Sequence, residues 1–234
     1  MRGRFRLRRR IALLVVAGAF LLGSMPQARG AEPLSLRGFR LGILLADFEV
    51  MPAPDQMVWP GAKPLCSDNP EAGRLGALSA EAGVRLSEAE AKAGFVRCGF
   101  FYPSEAVLAP AGLIIAGARG SVSFIFVPDR EGSMRLAAIQ VTAASANYPS
   151  VKSALSRKYG RPKLVVRGYA HDARGSTLVD ETTRWSNGVS DIRLSQRGER
   201  EDIEVMTIEY IHEALAAGAL KQLNAIRAGS DDVL

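Results

Sequence analysis

Apolar and polar positions fall into distinct regimes along the chain. Residues 11–22 are uncharged and almost wholly apolar. From Leu36 to Gly94 the pattern is short and broken. "LRGFRLGILLADFEV" predicts a short strand, a break at Gly42 and a short helix carrying Phe48. Residues 52–76 hold five prolines and predict an irregular loop. Ser87 and Glu90 then stand at capping-box spacing ahead of a stop at Gly94, which predicts a short helix. From Phe95 onward the runs "GFVRCGFFY", "GLIIAG", "SVSFIFV" and "MRLAAIQV" read as strands separated by Pro, Gly and Asp turns.

The clearest helix is "NYPSVKSALSRKYG", where Tyr148, Val151, Leu155 and Tyr159 share one stripe. Asn147 stands as its N-cap, Pro149 in its first turn and Gly160 just past its end. Arg157 and Lys158 in its last turn offset the helix dipole and need no ligand. The β pattern returns in "PKLVVRGY", "TLVDETTRW", "SDIRLSQ" and "DIEVMTIEY", with Ser186-Asn187-Gly188 as a hairpin signal. A final helix is expected from about His212 to Arg227, with Leu215, Ala219, Leu223 and Ile226 on one side and Gly229 at its end.

Strands leading into a helix, twice, predict an α+β fold: antiparallel β-meanders, each followed by an amphipathic helix, with the helices packed on one face. Met134, Leu136, Ile139 and Val141 correspond to Ile203, Val205, Ile208 and Tyr210, each 69 positions on. In both sets the period of two slips by one midway, as a bulge or a doubly buried strand requires. The expectation is an internal duplication, with coincidence between repetitive β patterns as the alternative. The expected organisation is a leader over 1–30 and a strand, helix and tethered loop over 31–93. Strands-plus-helix units then occupy 94–160 and 161–229, and 230–234 is a flexible tail.

The first regime changes the meaning of the charge. Arg2, Arg4, Arg6, Arg8, Arg9 and Arg10 precede the apolar run, and Met25-Pro26-Gln27-Ala28-Arg29-Gly30 follows it. Cationic, apolar and small-residue regions in that order make a secretory signal peptide. The run is too short for a spanning helix, which needs roughly 20 apolar residues. Cleavage is expected after Gly30, with an uncleaved anchor as the alternative. No cysteine is near that point to carry a lipid. The whole chain has 30 Lys+Arg and 24 Asp+Glu, and a pI near 9.6. Seven of the cations and none of the acids lie in residues 1–30, so the remainder nets −1. A near-neutral surface lacks the field that drives phosphate binding, and nucleic acid is excluded as a partner. No stable membrane insertion is expected after cleavage.

About 204 residues then remain, enough for one large domain or two small ones. The two cysteines, Cys66 and Cys98, both lie in that part. An oxidising compartment makes a disulfide between them the expectation, with two buried thiols as the alternative. Their spacing is far from C-x-x-C, so thiol exchange chemistry is not indicated.

The search for chemistry is mostly negative. His212 precedes Glu213, but Ala216 stands where a zinc-binding H-E-x-x-H needs its second histidine. His171 lies in the loop "YAHDARG" beside Asp172 and Arg174, a setting that solvation alone explains. No serine occupies a G-x-S-x-G elbow or an S-x-x-K pair, and no glycine-rich phosphate loop exists. Asp180 and Glu181 alternate across a strand and cannot share one substrate atom. No catalytic residue, cofactor or metal site is assigned. Met57 and Trp59 in "MVWPG" are candidates for an apolar contact patch, or else for a lid on the core. With His171 they complete the candidate binding residues. Trp185, ahead of the hairpin, is expected to pack across strands.

"FRLG", "ALSRKYGRP" and Trp185 before a hairpin resemble a recurrent type of small exported proteobacterial α+β protein. The resemblance implies a location and a build, and no activity. The opening strand-Gly-helix also resembles that of small envelope assembly lipoproteins, although the lipid-attachment cysteine is absent here. The expectation is a soluble periplasmic or secreted non-catalytic protein that binds an envelope protein or another envelope component. The alternative is a periplasmic hydrolase or transferase with dispersed residues, His171 among them. Oligomeric state is left open.

Overall fold

A computed structural model describes residues 31–74, 84–104, 107–172, 174–198 and 204–231. The expected leader, Ile203 and residues 232–234 lie outside them. In chain order the elements are β1 (Ser35–Leu36), β2 (Phe39–Arg40), α1 (Leu45–Glu49), β3 (Lys63–Cys66), α2 (Pro70–Arg74) and α3 (Glu88–Lys92). Next come β4 (Val96–Ser104), β5 (Val107–Pro110), β6 (Leu113–Ile115), β7 (Ala118–Pro128), β8 (Met134–Ala144) and α4 (Tyr148–Tyr159). The last are β9 (Leu164–His171), β10 (Thr177–Ser186), β11 (Ser190–Ser195), β12 (Val205–His212) and α5 (Glu213–Asp231). The fold is α+β, dominated by antiparallel sheet. From Ala31 on, the three expected segments form one unit, because β3 joins the same sheet as the later strands.

That sheet has ten strands with the path β3-β4-β7-β8-β12-β11-β10-β9. β4 pairs with β7 only over Val96–Cys98. β5 then pairs with β4 and β6 with β7, filling the fork where the two long strands part. Alternation along the strands sends Phe100, Phe124, Phe126, Ile139, Val141, Ile192, Leu194 and Ile208 into one core. Phe39 of β2 and Phe48 of α1 close it, their ring centres 4.6 and 4.7 Å from that of Phe124. The slip expected in β8 is a bulge: Ile125 pairs with Ala138 and Phe126 with Leu136, leaving Ala137 over. Leu136 and Ile139, three apart, can therefore face the same side.

α4 buries Tyr148, Val151 and Leu155 in this core, as its stripe predicts. Asn147 does not cap it by side chain. Its amide donates instead to Ala144 O (3.3 Å), because a 3-10 turn, Ser145–Asn147, leads into the helix. Gly160 ends it at φ +81°, where a side chain would be strained. The Gly160 carbonyl accepts from the indole of Trp185 (3.0 Å), which is buried opposite Ile192. α3 has its full capping box, with Ser87 accepting from Glu90 N and Glu90 from Ser87 N.

Two expectations need correcting. α5 starts at Glu213 and runs through Gly229 to Asp231, while His212 belongs to β12. The long helices also do not share a face. Leu215, Ala219, Leu223 and Ile226 of α5 pack with Ala93, Phe95, Ile125, Val127 and Ala137, the reverse side of the sheet. α5 follows β12 with no connecting turn, and the back of β7 and β8 supplies the apolar residues it covers.

No duplication is shown. Ile139 pairs with Tyr210 and Val141 with Ile208, so the 69-residue offset relates neighbouring strands. Yet β12 pairs with β8 without a register shift, and the helices that follow lie on opposite faces. Among the described residues no helix is long and apolar enough to cross a membrane.

Candidate functional site

Three distant segments enclose a groove of about 1170 Å³. Its walls are the β2–α1 connection, the β7–β8 hairpin and the first turns of α5, with His212 at the junction. Gly42 makes the first wall possible. Its φ of +87° turns the chain out of β2, a conformation that favours glycine. Its N–H donates to Leu136 O (2.8 Å) and Leu136 N–H donates to Ile43 O (2.9 Å). The connection is thus hydrogen-bonded to β8 at the bulge.

The hairpin wall is fixed by Asp129. Its carboxylate accepts from the N–H groups of Glu131 and Ser133, both 2.9 Å, and from Arg135 Nε at 2.5 Å. Arg135 also donates to Gly42 O (3.1 Å), tying hairpin to connection. The Arg135 hydrogen bond, opposed by partial burial, holds the Asp129 carboxyl below its usual range. This pair therefore offers little net charge to a ligand. Arg40, Arg130 and Lys221 remain as cations on the rim, with Asp47 and Glu131 as anions. Leu41, Ile43, Leu44 and Leu215 give the groove its apolar lining.

His212 is half-buried, and a Cβ built at Gly42 would lie 3.6 Å from its ring. Its Nδ1 is buried without a hydrogen-bond partner among the described residues. Burial lowers its pKa, so the imidazole is neutral at pH 7. Among the described residues the groove lining contains no Ser, Thr, Cys or Tyr. It can bind a mixed apolar and charged ligand and offers one neutral imidazole, but no hydroxyl or thiol nucleophile.

The residues singled out in the sequence lie elsewhere and are not brought together. Met57 is buried in the main core and bridges to Leu113. Trp59 is 48% exposed and stacks on Tyr102, ring centres 4.5 Å apart. His171 ends β9, exposed, 3.4 Å from the Thr177 hydroxyl. Asp172 beside it accepts from Arg174 N and Ser176 N and so shapes a turn. Cys66 and Cys98 form a disulfide, directly opposite each other on β3 and β4 with Cα atoms 4.0 Å apart. That is slightly closer than most disulfides. The 52–76 segment is less irregular than its prolines suggest, since it contains β3 and α2.

Glu49, Cys66 and Asp68 converge, but the sulfur is committed to the disulfide and the two carboxylates are exposed, which leaves no metal-binding set.

A second polar constellation lies under α4. Glu181 is nearly buried on β10 and accepts from Tyr148 (2.8 Å), from Arg167 Nε (2.7 Å) and from Lys152. Burial works against its charge, but the hydrogen bonds of Lys152, Arg167 and Tyr148 outweigh it and hold the carboxyl at about 2. Burial, together with Glu181, raises the Tyr148 phenol well above its ordinary value. This group is closed by the helix and fastens it to the sheet.

Nothing in the sequence marks the groove, whose walls come from residues 33–47, 128–135 and 212–221. Only Gly42, read as a break after a strand, hinted at one of them. No protein-family model, curated protein or solved structure matches the chain.

Proposed function

We propose that the protein is an exported, non-catalytic binding protein, and that the groove between the β2–α1 connection, the β7–β8 hairpin and α5 takes another component of the cell envelope. The observation that carries this reading is the groove's composition. Its apolar lining is ringed by Arg40, Arg130, Lys221, Asp47 and Glu131, and among the described residues it holds no hydroxyl or thiol nucleophile. Such a groove exceeds the usual 300–1,000 Å³ of small-ligand pockets and suits an extended partner. Export is supported by the cationic and apolar opening of the chain and by the internal disulfide.

The test is site-specific photocrosslinking in the producing cell. A photoreactive residue at Leu44 or Lys221 should yield one discrete adduct, and the same residue at exposed Val107 on β5 should not. No adduct from the groove, or the same adducts from Val107, overturns the reading. The hydrolase or transferase alternative has one observation in its favour, the neutral imidazole of His212 in the groove. Ester or phosphoester cleavage abolished by His212→Gln would replace the binding reading with that one.

A further inference from the structure

β9 and the outer half of β10 form a two-stranded ribbon that outruns the cover of α4. Leu164 and Val166, opposite Arg184 and Thr182, and Tyr169 and Val179 further out are all exposed, Tyr169 by 75%. A lone two-stranded ribbon is marginally stable in water, so such a surface calls for a neighbour. Along its outer side β9 has none among the described residues. The opposite edge of the sheet is different. There β3 has four residues, including Lys63 and Pro64, both of which discourage strand addition. β9 has eight residues, no proline and one permanent charge, Arg167.

We propose that β9 pairs antiparallel with β9 of a second copy of this chain, about a two-fold axis at Gly168. A two-fold axis perpendicular to the sheet makes one residue face itself and keeps opposed residues on the same face. Centring on Arg167 sets like charges opposite each other, which is destabilising. Centring on Tyr169 sets Arg167 against His171. Centring on Val166 leaves the apolar end of the strand with fewer partners. Centring on Gly168 pairs Arg167 with Tyr169, Val166 with Ala170 and Val165 with His171, each twice. Arg167 holds Glu181 through Nε at 2.7 Å, yet its side chain is 73% exposed. The rest of the guanidinium is free to lie against the Tyr169 ring of the second copy. Nothing lies within 4 Å of a Cβ built at Gly168, so the two backbones can approach at the axis. In this register no like charges are opposed, and each Arg167 meets an aromatic ring.

The register is testable by one cysteine. Asp172 N–H points inward to Ser176 O (3.1 Å), and alternation turns Gly168 N–H inward too. The two Gly168 residues then form a non-hydrogen-bonded pair, with Cα atoms about 4.5 Å apart and within disulfide reach. The native cysteines are already joined to each other and do not compete. Gly168→Cys in the otherwise intact, oxidised protein should become a disulfide-linked dimer on mild oxidation, whereas Leu220→Cys on α5 should not. Sedimentation velocity of the unsubstituted protein should show a dimer, and Tyr169→Lys should weaken it about tenfold or more. Both substituted side chains face solvent in the monomer, and an unchanged circular dichroism spectrum certifies the fold. A protein monomeric at about 100 µM, a dimer that Gly168→Cys does not crosslink, or a complex with a strand from a different polypeptide overturns the proposal.

Discussion

Glu181→Gln is the substitution whose effect follows most directly from the geometry. The amide keeps the shape of the carboxylate and an acceptor for Tyr148, but leaves Lys152 and Arg167 without their anion. The carboxyl titrates at about 2 in the fold against an ordinary 4.5. A group held below its unfolded value contributes stability above that value and loses it as pH falls through the folded one. The difference corresponds to at most about 3–4 kcal/mol at 1.36 kcal/mol per unit. The Arg167 side chain is 73% exposed, and solvent screening trims its share, leaving about 2 kcal/mol. For a domain of this size that is a fall in Tm of about 4–8 °C at pH 7. Urea unfolding followed by circular dichroism, at intervals from pH 7 to pH 2, gives both curves. The unsubstituted protein should lose this increment between pH 4.5 and pH 2, the variant should not, and the curves should converge at the acid end. Parallel curves would show that the Glu181 ion pairs contribute nothing, and that α4 is held by Tyr148, Val151 and Leu155 alone.

Other outcomes are as direct. Reducing Cys66–Cys98, or replacing both with Ala, should cost roughly 3–4 kcal/mol and expose new protease sites between Met51 and Arg74, read by limited proteolysis and mass spectrometry. Unchanged cleavage there would mean that the β3–β4 ladder holds the segment unaided. Phe48→Ala should cost about 3–5 kcal/mol in urea unfolding, since the ring is fully buried against Phe39, Phe100, Phe124 and Phe126. His212 should titrate by NMR below its ordinary 6.5 because burial disfavours the imidazolium. Its contribution to stability is present above that value and lost as pH falls through the folded one, and His212→Gln should abolish the dependence.

The two strongest local signals, the α4 stripe and the Ser87–Glu90 box, were legible because short-range spacing alone determines them. The Cys66–Cys98 bond was legible from the cysteine count and the expected compartment. Its position on paired strands was not, since "KPLC" is too short to show alternation. The face of α5 could not be read from its own stripe. That choice depended on Phe95, Val127 and Ala137, which show as a second apolar surface only when the sheet is assembled. The Glu181 site was missed for a related reason. A carboxylate in a β run reads as a solvent-facing position until Lys152, twelve residues before β9 begins to pair, is laid over it by α4. His212 was dismissed for lacking a second histidine, and only the return of Gly42 to β8 gives it surroundings.

The short, lysine- and proline-bearing β3 has a consequence for assembly. A sheet that accepts strands at both ends is bivalent, and identical copies joined end to end propagate without limit into filaments. Here β3 is pinned to β4 by the Cys66–Cys98 bond and carries Lys63 and Pro64 on the strand. The β3 end of the sheet therefore discourages a second addition. Whatever strand adds at β9 terminates the growth it begins, so the molecule can carry an open, apolar β9 without becoming the monomer of a polymer.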